Sequence, residues 1–174
     1  MLEFQHPLSP LDAGQLALTE AELDCSLPES YRSFLLQNNG GLVSGWYFSY
    51  DPDLAPEGFL PAEDGIEVAE FFGIGEGQPG NLLTQARACH RELAKMGKHL
   101  PENWIWIART VHDDELFLAV SGRDTGNLYL LFARDEYFAE DFNELFDAKG
   151  RLEEPADLLI SRDFQRFLHG AVQA

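Results

Sequence analysis

Six residues, Gly75-Glu76-Gly77-Gln78-Pro79-Gly80, have the types and order of G-x-G-x-x-G. In a dinucleotide-binding loop such glycines let the backbone close on a pyrophosphate at a helix N-terminus, and the chemistry would be hydride or electron transfer. The flanks fit in part, because a strand is expected over residues 66–74 and a helix over residues 81–96. Glu76, however, places a carboxylate where the pyrophosphate would sit. The next strand, expected over residues 104–108, ends at Arg109 and offers no acid for a ribose hydroxyl. An arginine there suits an extra phosphate but does nothing about Glu76. No second β-α-β unit follows, so the run reads as a turn. A nucleotide-binding enzyme built on this loop is the weakest of three functional readings.

His112-Asp113-Asp114-Glu115 gathers an imidazole and three carboxylates. Adjacent residues cannot all point at one ion, and no H-x-x-H, H-E-x-x-H or calcium-loop spacing accompanies them. A polar turn before a strand is the simpler reading. His6, His90, His99 and His169 have no motif-spaced partners, and there is no G-x-S-x-G elbow. Cys25 and Cys89 lack C-x-x-C spacing and are expected to be reduced thiols. The expectation is a non-enzyme with no catalytic residue, no metal and no cofactor.

Charge is the strongest compositional feature. Thirty acids and twelve bases give −18 at pH 7. Residues 1–86 hold fourteen acids and one base, Arg32, a net of −13, while residues 87–174 net −5. Such a field opposes nucleic acid and anionic membranes and favours basic partners. No apolar run is long enough to cross a bilayer. The first residues, MLEFQHPLSPLD, lack the basic start and apolar core of a signal peptide. A cytoplasmic protein is expected.

The elements that must position these groups follow from periodicity. In SLPESYRSFLLQNNGG, Pro28 suits a first helical turn, and Leu27, Tyr31, Phe34 and Leu35 share a face. Asn39-Gly40-Gly41 then stops the helix. Upstream, Thr19-Glu20-Ala21-Glu22 has capping-box spacing, and Leu11, Leu16 and Leu18 indicate a short helix. A strand is expected over 46–50. The helix over 81–96 would turn Leu82, Leu83, Ala86, Cys89, Leu93 and Met96 inward. Strands over 115–120 and 127–132 form a hairpin around Ser121–Gly126. Helices follow over 136–146 and 162–172, the latter with Ser161 as N-cap. Helices at both ends with strands between them indicate a single α+β domain over residues 1–174.

The block Leu27-Pro28, Tyr31, Phe34-Leu35, Asn39-Gly40-Gly41 resembles the opening signature of the SUKH superfamily, which includes yeast cell-wall-assembly regulators and many bacterial immunity proteins. Leu100-Pro101 before a strand leading to Ile107-Ala108, and a closing helix bearing Phe164, Phe167 and Leu168, look similar too. The chain departs from the family where Val111–Glu115 replaces a glycine-rich turn, and the acidic segment 135–155 is longer than usual. The resemblance implies a central, mostly antiparallel sheet flanked by N-terminal and C-terminal helices, and action by binding. Its bacterial members commonly neutralise a toxin, often a nuclease. The leading reading is therefore an immunity protein that binds a basic toxin domain. The second is a regulatory scaffold of the same fold with no toxin.

Asp51, Asp53, Glu57, Glu63, Asp64, Glu67 and Glu70 lie within 54 residues, Ser33–Ala86, that contain no lysine or arginine. They are the candidate partner-binding acids, with Trp46, Tyr47 and Tyr50 as anchors. Two charge stripes share 4-4-3 spacing: Arg87, Arg91, Lys95, Lys98 and Glu136, Glu140, Glu144, Asp147. Facing each other within the chain or across a homodimer, they would set register.

Overall fold

The computed structural model describes residues 4–5, 8–55, 65–75, 80–131, 143–153 and 155–173. Two helices open the chain, α1 (Ala13–Leu23) and α2 (Glu29–Asn38), followed by strands β1 (Gly41–Leu42), β2 (Trp46–Phe48) and β3 (Ile66–Phe71). Short helices α3 (Leu82–Gln85) and α4 (Ala88–Lys95) lead to β4 (Trp104–Thr110), β5 (Glu115–Ala119) and β6 (Leu128–Leu131). A 3-10 turn (Pro155–Leu158) leads to β7 (Leu159–Ser161), α5 (Phe164–His169) and β8 (Val172–Gln173). The strands form one sheet in the order β7-β6-β5-β4-β3-β2-β8, with β1 also on β3, and every ladder between them is antiparallel. The expected α+β class and antiparallel sheet are observed.

The sheet has two packed faces because its strands alternate apolar residues on both sides. Ile105, Ile107, Leu116, Leu118, Leu128 and Leu130 join the larger core with α1, α2 and α5. Trp104, Phe117, Ala119, Tyr129 and Leu131 form a second core with Cys89 and Leu93 of α4. Strands buried on both faces read as continuous apolar runs, as the short segments WIWIA and LFLA do. The larger core is centred on rings: Phe34 lies 5.2 Å from Phe71 and 5.1 Å from Phe164, and Tyr31 lies 4.9 Å from Phe164, mostly tilted or edge-on. Such pairs add about 0.5–1.5 kcal/mol each beyond area burial.

The helix expected over 81–96 is two helices. Leu82 and Ala86 belong to the larger core and Cys89 and Leu93 to the second, so one apolar stripe serves opposite faces of the sheet. The chain crosses at Ala86-Arg87, over the stretch of β4 that extends beyond β3. There the Trp106 N–H donates to the Ala86 carbonyl (3.1 Å), and Arg87 donates to the Glu102 and Trp104 carbonyls (2.5 and 3.0 Å). Arg87 is thus consumed in satisfying a strand edge. Met96 is 64% exposed rather than inward.

His90 shares this duty, its Nε2 bonding the Trp104 carbonyl at 2.8 Å. Burial, with a smaller contribution from Arg87, lowers its pKa below the usual histidine value. The unfolded chain therefore takes up the proton first, so the neutral-form stability is present above about pH 6.5 and is lost as pH falls below it. Thermal unfolding is expected to show stability dropping between about pH 7 and 5, with a shallower slope in His90→Gln. An identical slope in the variant would remove His90 from the effect.

Other boundaries shift for local reasons. The capping box is Asp12 with Gln15, each side chain taking the other's backbone N–H; Thr19 lies within α1 and bonds the Gln15 carbonyl at 3.0 Å. Leu11 and Leu16 are buried, but Leu18 is 68% exposed. The last helix is shorter than expected, and its N-cap is Asp163, whose carboxylate accepts the Arg166 N–H. Most of the helix expected over 136–146 lies outside the described residues.

Candidate functional site

The surface that remains is shaped by two elements far apart in sequence. Helix α2 and helix α5 lie side by side on the inner face of the sheet. A cleft of about 840 Å³ opens along them. Its apolar floor is Phe34, Trp46, Leu168 and Ala171, and its walls are Glu29, Ser30, Ser33, Gln37, Asn38, Gln165 and His169. Ser30, Ser33 and Gln37 recur at helical spacing, a small uncharged polar stripe on α2 that the apolar reading of this helix passed over. That stripe was the available sequence signal for the cleft.

The three expected aromatic anchors separate because a strand turns successive side chains to opposite faces. Phe48 pairs with Ile66 and both are buried toward the helices, whereas Tyr47 pairs with Glu67 and faces the other way. Trp46 turns inward to the cleft and packs against the larger core. Tyr50, beyond β2, is half-buried, and burial together with the Asp114 carboxylate pushes its hydroxyl pKa up. No single patch contains all three.

The acids separate as well. Asp51 is buried, its carboxylate accepting from the Ser161 hydroxyl (3.1 Å) and the Arg162 N–H (2.9 Å), while its own N–H donates to the Ile160 carbonyl (2.8 Å). It fastens the segment after β2 onto β7, at the far end of the curled sheet, and is unavailable to a partner. Glu70 is held by Arg109 at 3.0 Å, across the β3–β4 ladder. Asp53 is exposed and paired with Arg162 at 2.5 Å; that hydrogen bond chiefly lowers its pKa. Glu67 is half-buried beside Tyr47. Glu57, Glu63 and Asp64 lie outside the described residues, as does Glu76 of the glycine run.

The residues around that run serve packing. Gly80 lies so close to the Glu70 carboxylate that a Cβ would collide with it, and Gly73 abuts the Asn39 carbonyl. The His112 segment is a tight turn: Thr110 Oγ1 accepts the His112 and Asp114 N–H groups and donates to the Asp114 carboxylate. Among the described residues no three His, Cys, Asp or Glu side chains gather as a metal-ligating cluster. No helix among them is long and apolar enough to cross a membrane.

Described members of the charge stripes have local partners. Lys98 is buried and donates to Asn143, Lys95 pairs with Glu92 at 2.7 Å, and Asp147 pairs with Arg151 at 2.7 Å. Backbone N–H donation from Arg151, then its guanidinium, lowers the Asp147 pKa. Glu136 and Glu140 lie outside the described residues.

The signature block is explained by the joint between α2 and β3. Leu27 and Tyr31 are buried, Pro28 is the N-cap, and the Tyr31 hydroxyl points to the Phe72 carbonyl at 3.5 Å. Asn39, left-handed at φ 46°, donates to the Ser9 and Ile74 carbonyls (2.7 and 2.9 Å) and accepts the Ile74 N–H (2.7 Å). Gly40 and Gly41 have φ of 72° and 129°, which a side chain would strain.

Fold and joint together define an α+β domain whose inner helices frame an open cleft. The chain belongs to the SMI1 / KNR4 family (SUKH-1), whose model matches residues 10–148. The cleft's second wall, α5, lies beyond that span. A search of curated proteins returned no match.

Proposed function

We propose that this protein acts by binding, without chemistry of its own, and that it is an immunity-type protein that neutralises a basic, nuclease-type toxin domain. One observation carries the reading: the N-terminal half presents acid without free base. Its one base, Arg32, is shared between Glu20 (2.5 Å) and Glu29 (3.5 Å), so the trio still carries net negative charge. A field of that sign accelerates encounter with a basic partner and repels nucleic acid, the substrate such a toxin would otherwise hold.

Co-expression with a basic toxin domain encoded beside its gene is expected to restore growth. In vitro, the association rate should fall on the order of tenfold between low and physiological salt, as steered encounters do. Lysine at Glu67 should slow association with little change in dissociation. Continued killing, or an association rate indifferent to salt, overturns the proposal and leaves the scaffold reading of the same fold.

A further inference from the structure

We infer that the α2–α5 cleft is the docking site for a basic, apolar-tipped segment of the partner protein; this rests on the reading that the chain binds a basic protein. The shape comes first. At about 840 Å³ the cleft can take one or two large side chains with their backbone. Trp46, Phe34 and Leu168 supply an apolar floor, and a half-buried tryptophan in a concave site is the residue type most often found to dominate a protein contact.

The walls indicate what else the occupant carries. Ser33, Gln37 and Gln165 offer both donors and acceptors, which suits the alternating N–H and C=O groups of a polypeptide. None of the eleven lining residues is Lys or Arg, and Glu29 at the rim is 86% exposed at its side chain. The Glu20–Arg32–Glu29 trio adds net negative charge at this end of α2. An apolar tip flanked by Lys or Arg satisfies the floor and the rim together. The net negative charge of that trio disfavours an acidic or anionic ligand at the rim.

The test is selection of a random peptide library against the full chain, followed by affinity measurement with the synthesised peptides. Enriched peptides are expected to place Lys or Arg beside a large apolar residue. Gln37→Lys with Gln165→Lys should weaken them about tenfold, and Gln37→Glu should tighten them about two- to fivefold, the scale of exposed charge pairs. Gln37→Lys alone should also weaken them, and opposite signs at this one exposed position cannot come from misfolding. Ala148→Lys, on the exposed turn after Asp147, should change affinity less than about twofold. No enrichment, enrichment of acidic or neutral peptides, or indifference to the double substitution overturns the inference. If the doubly substituted protein neutralises the toxin as well as the parent, the cleft is wrong and the immunity reading stands. If cleft-directed basic peptides bind while no toxin is neutralised, the docking site stands and that reading falls.

Discussion

Gly40→Ala is expected to destabilise the domain by about 2–5 kcal/mol, a large part of a typical folding free energy of about 5–15 kcal/mol. Two separate costs combine. The backbone at Gly40 has φ of 72°, a left-handed conformation that costs an alanine about 1–2 kcal/mol. A Cβ there would also lie 2.6 Å from both the Gly73 nitrogen and the Phe71 carbonyl oxygen. Both atoms are backbone, so relief requires moving β3 away from α2, an overpacking cost of about 1–3 kcal/mol. Gly45→Ala separates the terms: its φ is 69°, yet a Cβ would meet nothing within 4 Å. That variant should lose only the conformational term. Urea unfolding of both variants checks the account, and equal losses would show that the close approach to Gly73 is not costly.

This joint was legible in the sequence because its signals are local. Leu27, Tyr31 and Phe34 declare a helix face, and Asn39-Gly40-Gly41 declares its end. The sequence could not show what the end is pressed against. The close neighbours of Gly40 are residues 71 and 73, and those of Asn39 are residues 9 and 74. The same limit explains two further differences. Residues 81–96 carry one unbroken apolar periodicity, and only the open edge of β4 reveals that the chain must break at Ala86 to reach both faces of the sheet. Asp51 follows a strand in an acidic run and so reads as surface; its partners are 110 and 111 residues away. Trp46 and Tyr47 are neighbours in sequence and opposites in space, a consequence of strand alternation that was available at the outset. The cleft was half legible: the Ser30-Ser33-Gln37 stripe was present, but its pairing with α5 is tertiary.

Asn39→Ala and Asn39→Asp together test what the signature asparagine does. The side chain occupies a site 2% exposed, with its amide nitrogen between two carbonyl oxygens and its amide oxygen on the Ile74 N–H. Alanine removes three hydrogen bonds and leaves buried groups unpaired, a loss of about 2–4 kcal/mol. Aspartate keeps the shape and the acceptor but replaces the donor with a second oxygen facing the Ser9 and Ile74 carbonyls. At neutral pH this introduces a buried charge against two dipoles, so Asn39→Asp should be the less stable variant despite being nearly isosteric. Protonation converts the oxygen facing those carbonyls into a donor, so burial and the facing carbonyls raise the folded-state pKa of the introduced carboxyl. The folded variant then binds its proton more tightly than the unfolded chain does. Its stability relative to the parent should rise as pH falls through that raised pKa and be lost again as pH increases. Asn39→Ala has no group to titrate, and its deficit should stay constant over the same range. Parallel pH profiles for the two variants would show that the Asn39 nitrogen is not what holds α2 to the strand beyond it.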